Sequence, residues 1–445
     1  MHHRSSRLGI IVFILCGLLP VLRAATSKTS APSDDWNGLK AEASTLGKPA
    51  WRPMLRYMAE LHARGTHPAQ PPFEFEWEEL GPGYGYGPAF GHWDIVHAMI
   101  DVLPARPQHT RRQLLNDIRL QLDSGFLPGS VYMPGSPSAP GGVPATPGKP
   151  AFDRGTQSHP PLWVVAADDY LARYPDDGLK RECLERLQHQ IGWFEKERRV
   201  QPEGFFYNDI LRHKWESGVD EGVRFDNTEL GAKACIDATC HVFWLYDHAA
   251  RWSRQLGQDD TPWVKRAGEL RTFIRTQLWD ERSGFFYDQW SVKDAAQQHA
   301  AFEGIWPVIT GAATPEQAKR VIDEWILNPK KFFSPHPIAT VGVDDPGFSL
   351  RMWRGPAWNS MTYWAARGCQ RYDRPDAARR LLEAALDDTA AQFDRTGTIW
   401  EFFHPLGGKP EDLARKPNTK RNQPWRDYIG HNPLIAMARL WEQCR

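Results

Sequence analysis

The chain has 445 residues, with 54 Lys and Arg balancing 54 Asp and Glu, 24% of the sequence charged, and 20 tryptophans. A formal net charge of zero excludes the electrostatic footprint of a nucleic-acid partner, and 12% aromatic residues exclude a disordered chain. The 36 glycines and 36 prolines follow no three-residue period, which excludes a collagen-like fibre.

Residues 1–25 read as a secretory signal peptide. Arg4 and Arg7 precede an apolar run from Leu8 to Leu22, which ends in Arg-Ala-Ala-Thr-Ser. The run falls short of the roughly 20 apolar residues of a membrane span, so no stable span is expected after cleavage. Export permits disulfides, but Cys183, Cys235, Cys240, Cys369 and Cys444 are odd in number and read as core residues. No N-x-Ser/Thr sequon occurs, which fits a bacterial periplasmic or extracellular address.

A polar linker is expected over 26–50, followed by one domain over 51–445. Helical spacing of apolar residues recurs at 51–62, 92–104, 107–123, 162–173, 177–197, 228–254, 262–278, 315–327, 359–370 and 374–392. Pro134 to Pro150 reads as a surface insertion. Glu203-Gly-Phe-Phe-Tyr-Asn-Asp209 is echoed by Ser283-Gly-Phe-Phe-Tyr-Asp-Gln289 and in part by Gly397-Thr-Ile-Trp-Glu-Phe-Phe403. Each echo follows a helical stretch, as expected of equivalent loops at one end of successive helical hairpins. The fold class expected is all-α, a closed ring of such hairpins.

There is no phosphate loop, dinucleotide fingerprint, HExxH zinc motif or G-x-S-x-G elbow, so the chemistry must come from ordinary side chains. Five loop segments stand out: 91–94, 214–224, 352–359 and 398–405 set tryptophan beside a carboxylate or arginine, and 157–161 is Gln-Ser-His-Pro-Pro. Carboxylates between aromatic residues are costly to bury unless paired or used. Indole faces stack on sugar rings, and glycoside hydrolysis needs two flanking carboxyl groups, one protonated and one ionised. Asp220 is the acid candidate, with Glu216 and Glu221 nearby to raise its pKa by like charge. Glu401, between Trp400, Phe402 and Phe403, is the base candidate. Arg354 with Trp353, and Trp93 with Asp94, are candidate substrate contacts. Ion pairing or capping is the structural alternative at each position.

These segments, in this order, resemble glycoside hydrolase family 63 and, more distantly, the trehalases. The resemblance implies an (α/α)6 barrel and an inverting mechanism without metal or organic cofactor. It places the general acid of Glu-Ser-Gly-x-Asp on Asp220 and the base on Glu401. Trp353-Arg-Gly-Pro-Ala-Trp358 and Trp93-Asp94 match family segments, and His159 stands where Gln is usual. Substrate contacts are then expected from Trp93, Asp94, His159, Trp215, Glu216, Arg224, Trp353, Arg354, Gly355 and Trp358. The expected partner is a small carbohydrate or glycoside. Glucose is the first expectation for the sugar released and mannose the second, with a glycosylglycerate among the substrates open. A polysaccharide lyase using Tyr84, Tyr86 or His92, and a sugar-binding barrel without catalysis, are the competing classes.

Overall fold

The computed structural model describes residues 35–134, 136, 151–152, 157–211, 215–226 and 228–444. The expected signal peptide, the start of the linker and nearly all of the 134–150 insertion lie outside the described residues. The rest of the linker departs from expectation. Its residues form α1 (Trp36–Ala43), capped by Asp35, which accepts the Gly38 N–H at 2.8 Å, and its Leu39 and Ala43 are buried.

Twelve helices follow: α2 (Arg52–Arg64), α3 (Asp94–Val102), α4 (Pro107–Ile118), α5 (Trp163–Arg173), α6 (Asp177–Glu197), α7 (Ile236–Gln255), α8 (Thr261–Gln277), α9 (Trp306–Thr310), α10 (Pro315–Arg320), α11 (Asn359–Arg371), α12 (Pro375–Thr396) and α13 (Leu434–Gln443). A π-helix, Val321–Ile326, prolongs α10. Odd-numbered helices from α3 onward form an inner ring and even-numbered ones an outer ring. Within the inner ring α3 packs on α5, α7 on α9 and α9 on α11, and α13 closes the circle on α3. Outer α6 bridges α5 and α7, and α12 bridges α11 and α13. Burial follows this division: α3 is buried along its whole length, whereas α8 buries only Ala267, Leu270 and Ile274. No helix among the described residues is long and apolar enough to cross a membrane.

Periodicity missed the five-residue α9 and the ten-residue α13, and started α7 too early. Residues before Ile236 form a loop that closes with Cys235 N–H on Phe205 O at 2.8 Å. The echoed segments are the equivalent connectors expected of them. Each leaves an outer helix (α6, α8, α12) through a glycine of positive φ, Gly204, Gly284 or Gly397, and leads toward the next inner helix. All five cysteines of the folded region are buried and free.

A buried ionic chain ties the first helices together. His62 Nδ1 lies 2.5 Å from Glu78 and its Nε2 3.0 Å from Asp101, while His109 Nε2 lies 2.9 Å from Glu78 Oε2. Trp36 of α1 stacks parallel over His62.

Candidate active site

Loops entering the inner helices converge on one open cavity. Asp94 begins α3, Trp358 caps α11, and Tyr428 and His431 precede α13. His159 precedes α5, and Trp215 to Asp220 lie ahead of α7. A three-stranded antiparallel sheet (Ala89–Gly91, Ser130–Tyr132, Ala151–Phe152) adds Ser130 and Tyr132 to the rim.

Aromatic rings form one wall. Trp353 and Trp358 stack with centroids 3.9 Å apart and planes within 2°, and Trp93 lies near-parallel to Trp353 at 5.7 Å. His431 meets all three edge-on. Burial, reinforced by His97, holds His431 far below the ordinary histidine range and therefore neutral. His159, at positive φ, stands edge-on to Trp215.

Three carboxylates face this space. Asp94 accepts the Tyr428 hydroxyl at 2.9 Å, and a Cβ on Gly91 or Gly430 would collide with it. Burial pushes its pKa up to about 7 against the Tyr428 hydrogen bond, and the charges of Glu401 and Asp220 add to the rise. Glu401, 2% exposed, is gripped by Arg415, whose Nε donates to both carboxylate oxygens at 3.0 and 2.8 Å. The Trp425 N–H donates to it at 3.1 Å, and its own N–H donates back to Trp425 O at 2.9 Å. Its aromatic neighbours anchor the segment rather than line the cavity: Phe402 packs on Trp358 and Phe403 stacks on His336.

Asp220 is the most open of the three, with 23% of its side chain exposed, and lies 3.4 Å from Lys416 Nζ. Its pKa is raised by burial, opposed by Lys416 and Arg415 and assisted by Glu401. The like charge expected from Glu216 and Glu221 is supplied elsewhere. Glu216 is fully buried on Arg198 (3.0 Å) and the Ser158 N–H (3.2 Å), and Glu221 turns outward to Arg351. Gly218, at φ +76°, passes so close to Trp93 that a Cβ there would enter the indole ring.

Four expected substrate contacts do not line the cavity, and three of them, Glu216, Arg224 and Arg354, hold the acid loop instead. Glu216 stitches it to α6 through Arg198. Arg224, 5% exposed, is consumed by Asp237, Asp288 and Glu303 at 2.6–2.7 Å. Arg354 pairs with Asp226 and donates to Glu221 O at 3.1 Å. Gly355 donates its N–H to Thr340 Oγ1 at 3.1 Å. Trp93, Asp94, His159, Trp215, Trp353 and Trp358 do line the cavity with Asp220 and Glu401. Sequence reasoning missed Arg415, Lys416, Tyr428, His431, Tyr132 and Met352. The Tyr428–His431 run would have been found had α13 been recognised, because it occupies the same pre-helix position as Trp93-Asp94. Of the residues offered for a lyase, Tyr84 lines the cavity, but His92 is buried on Asp117 at 2.8 Å.

Residues 88–425 match the model of the mannosylglycerate hydrolase MGH1-like glycoside hydrolase domain. A mannosylglycerate hydrolase of Rubrobacter radiotolerans is 21% identical over 75% of this chain and 90% of its own. An uncharacterized protein of Borreliella burgdorferi is 26% identical over 35% of this chain, and the match spans about a third (34%) of that protein's length. Among solved structures, the family 63 mannosylglycerate hydrolase of Thermus thermophilus in complex with glucose superposes with a TM-score of 0.64 at 18% identity, covering 89% of this chain and all (100%) of that one. The neutral trehalase Nth1 of Saccharomyces cerevisiae follows with a TM-score of 0.61 at 15% identity, over 85% of this chain and 76% of its own. The alternating helical rings are thus an (α/α)6 barrel, and the chain belongs to the MGH1-like domain family, which makes it a glycosidase of the family 63 type.

Proposed function

We propose that the protein is an exported, inverting glycosidase that releases the terminal sugar of a small α-glycoside by single displacement. The observation that carries this reading is that Asp220 and Glu401 face one cavity from separate loops, each with its own cation, beside a wall of stacked indoles. Asp220 protonates the departing glycosidic oxygen, and its raised pKa suits a group that must hold a proton near neutrality. Glu401, oriented by Arg415, takes a proton from water on the opposite face of the sugar. Inversion requires the two carboxyl groups about 6.5–9.5 Å apart, to admit that water. Trp93, Asp94 and Trp358 hold the terminal unit, and no metal or organic cofactor is called for.

The substrate reading is a glycosylglycerate. The family description and the Rubrobacter relative carry that activity in their names, and Lys416 beside Asp220 places a cation where an acidic leaving group would sit. Glucose remains the first choice for the sugar and mannose the second. The basic, apolar start of the chain supports a periplasmic or extracellular address.

The test is a hydrolysis panel of α-glucosyl- and α-mannosylglycerate and short α-disaccharides, with NMR reading the first product anomer. A β-anomer is expected. Asp220→Asn and Glu401→Gln should each lower kcat by about 10²–10⁴-fold. Full activity in either variant, or an unsaturated product, overturns the assignment.

A further inference from the structure

We propose that the consecutive residues Arg415 and Lys416 are a positioning pair, Arg415 for the base and Lys416 for the acid, which fixes the spacing of the two carboxylates and gives each its own counter-charge. This inference rests on the acid and base roles proposed above. Glu401 and Asp220 come from loops far apart in sequence, yet their cations sit on neighbouring residues, whose Cα atoms a trans peptide holds about 3.8 Å apart. The segment carrying them is stitched to the indole wall. Met352 N–H donates to Ala414 O and Ala414 N–H to Leu350 O, both at 3.0 Å, and Arg415 N–H donates to Asn422 O at 3.0 Å. One short stretch of backbone thereby sets the cations, both carboxylates and the Trp353 face in a common frame.

The two contacts differ in the way the reaction asks. Arg415 is 4% exposed and shares its Nε–H between both Glu401 oxygens, a buried anchor on a group whose orientation must persist. Lys416 is 32% exposed and makes one contact of 3.4 Å, a flexible point charge on a group whose charge changes in every turnover. Asp220 is faced by Lys416, Arg415 and Glu401, and its charge also reaches Asp94. Glu401 is faced by Arg415, Asp220, Asp94, Tyr84 and Tyr428, and Lys416 also lies over the Tyr86 ring.

The experiment is the pH profile of kcat/KM for the full chain, Lys416→Met, Lys416→Arg and Arg415→Met, on whichever of α-mannosylglycerate and α-glucosylglycerate the wild type hydrolyses. Loss of the Lys416 charge lets Asp220 hold its proton to higher pH, so the basic limb moves up while the acidic limb stays. Above the wild-type limb, Lys416→Met should keep on the order of tenfold more of its own maximum, the weight of one charge at this distance even in a water-like dielectric. Lys416→Arg should restore the limb, and Arg415→Met should raise the acidic limb. Lys416→Met with both limbs unmoved, or displaced together, overturns the proposal. If Asp220→Asn stays fully active, the acid assignment fails and the pair with it. If Asp220→Asn is inactive while Lys416→Met leaves the basic limb in place, only the pair fails. Where neither compound is turned over, a ¹³C-carboxyl NMR titration of Asp220 in wild type and Lys416→Met reads the same displacement, and an unchanged curve refutes it.

Discussion

Glu216 separates two accounts of the acid loop, because it reads as a substrate contact in sequence and as a stitch in the structure. The perturbation is Glu216→Gln. Its two oxygens receive Arg198 through Nε and Nη2, the Ser158 N–H and hydroxyl, and the Asn208 N–H, all in a site with no exposure. Gln keeps one acceptor oxygen, turns an NH₂ toward those donors and leaves the Arg198 charge buried without a partner. Breaking one side of a buried ion pair costs about 3–5 kcal/mol. The compact unit from residue 33 to 445 should unfold with an entropy of roughly 0.9 kcal/mol/K, from about 2.1 cal/mol/K per residue, so Tm should fall by roughly 3–6 °C. Calorimetry gives Tm, and steady-state kinetics on the same protein give KM. A Tm within 1 °C of wild type together with a tenfold rise in KM would refute the stitch and return Glu216 to the substrate.

The other expectations concern pH and packing. The Asp94 pKa is raised from 3.8 to about 7 in the fold, so its ionisation costs stability progressively as pH rises through that window, on the order of 4 kcal/mol in full. Asp94→Asn should therefore gain several degrees of Tm over wild type at pH 8 and nothing at pH 4, while KM rises, as paired melting and kinetic measurements would show. His62 is raised to about 9 by Glu78 and Asp101 in spite of burial. Its contribution is complete below pH 6.5 and lost as pH climbs through 9, so His62→Gln should destabilise strongly at pH 6 and less at pH 10 in denaturant titrations. Gly218→Ala should lower kcat/KM at least tenfold in steady-state assays, because its Cβ displaces Trp93 from the indole stack. Trp353→Ala should cost about 3–5 kcal/mol in chemical denaturation and raise KM, since it removes the ring on which both Trp93 and Trp358 stack.

The sequence carried the ring of helices through two signals of different kinds. Apolar spacing marked the long amphipathic outer helices, and the repeated Gly-Phe-Phe-Tyr connectors marked the hairpin period. It failed where a helix is too short for a period, as at α9, and passed over α13, whose polar positions are only Arg439, Glu442 and Gln443. In the site, the resemblance brought Trp93, Asp94, Asp220, Glu401 and the Trp353–Trp358 stack to one place. The arginines misled, because a guanidinium near an acid has the same local sequence whether it faces a cavity or a neighbouring loop. Arg224 and Arg354 are spent on Asp237, Asp288, Glu303 and Asp226, partners distant enough in the chain that only the closed ring reveals them. Arg415 and Lys416 stayed hidden because the carboxylates they serve, Glu401 and Asp220, lie in other segments, while the acids beside them in sequence are Glu411 and Asp412.

The common direction of the inner helices has an electrical consequence. The amino ends of α3, α5, α11 and α13 gather near the acidic cavity, where the helix dipoles contribute partial positive charge. Their carboxyl ends gather at the opposite mouth, around a second hollow bordered by Arg173, Arg367 and Arg439. Three carboxylates thus sit at one pole, with Arg415 among them, and three guanidiniums at the other, with Asp169 among them. The backbone field of the barrel is in this sense polarised, even though the 54 basic and 54 acidic side chains balance.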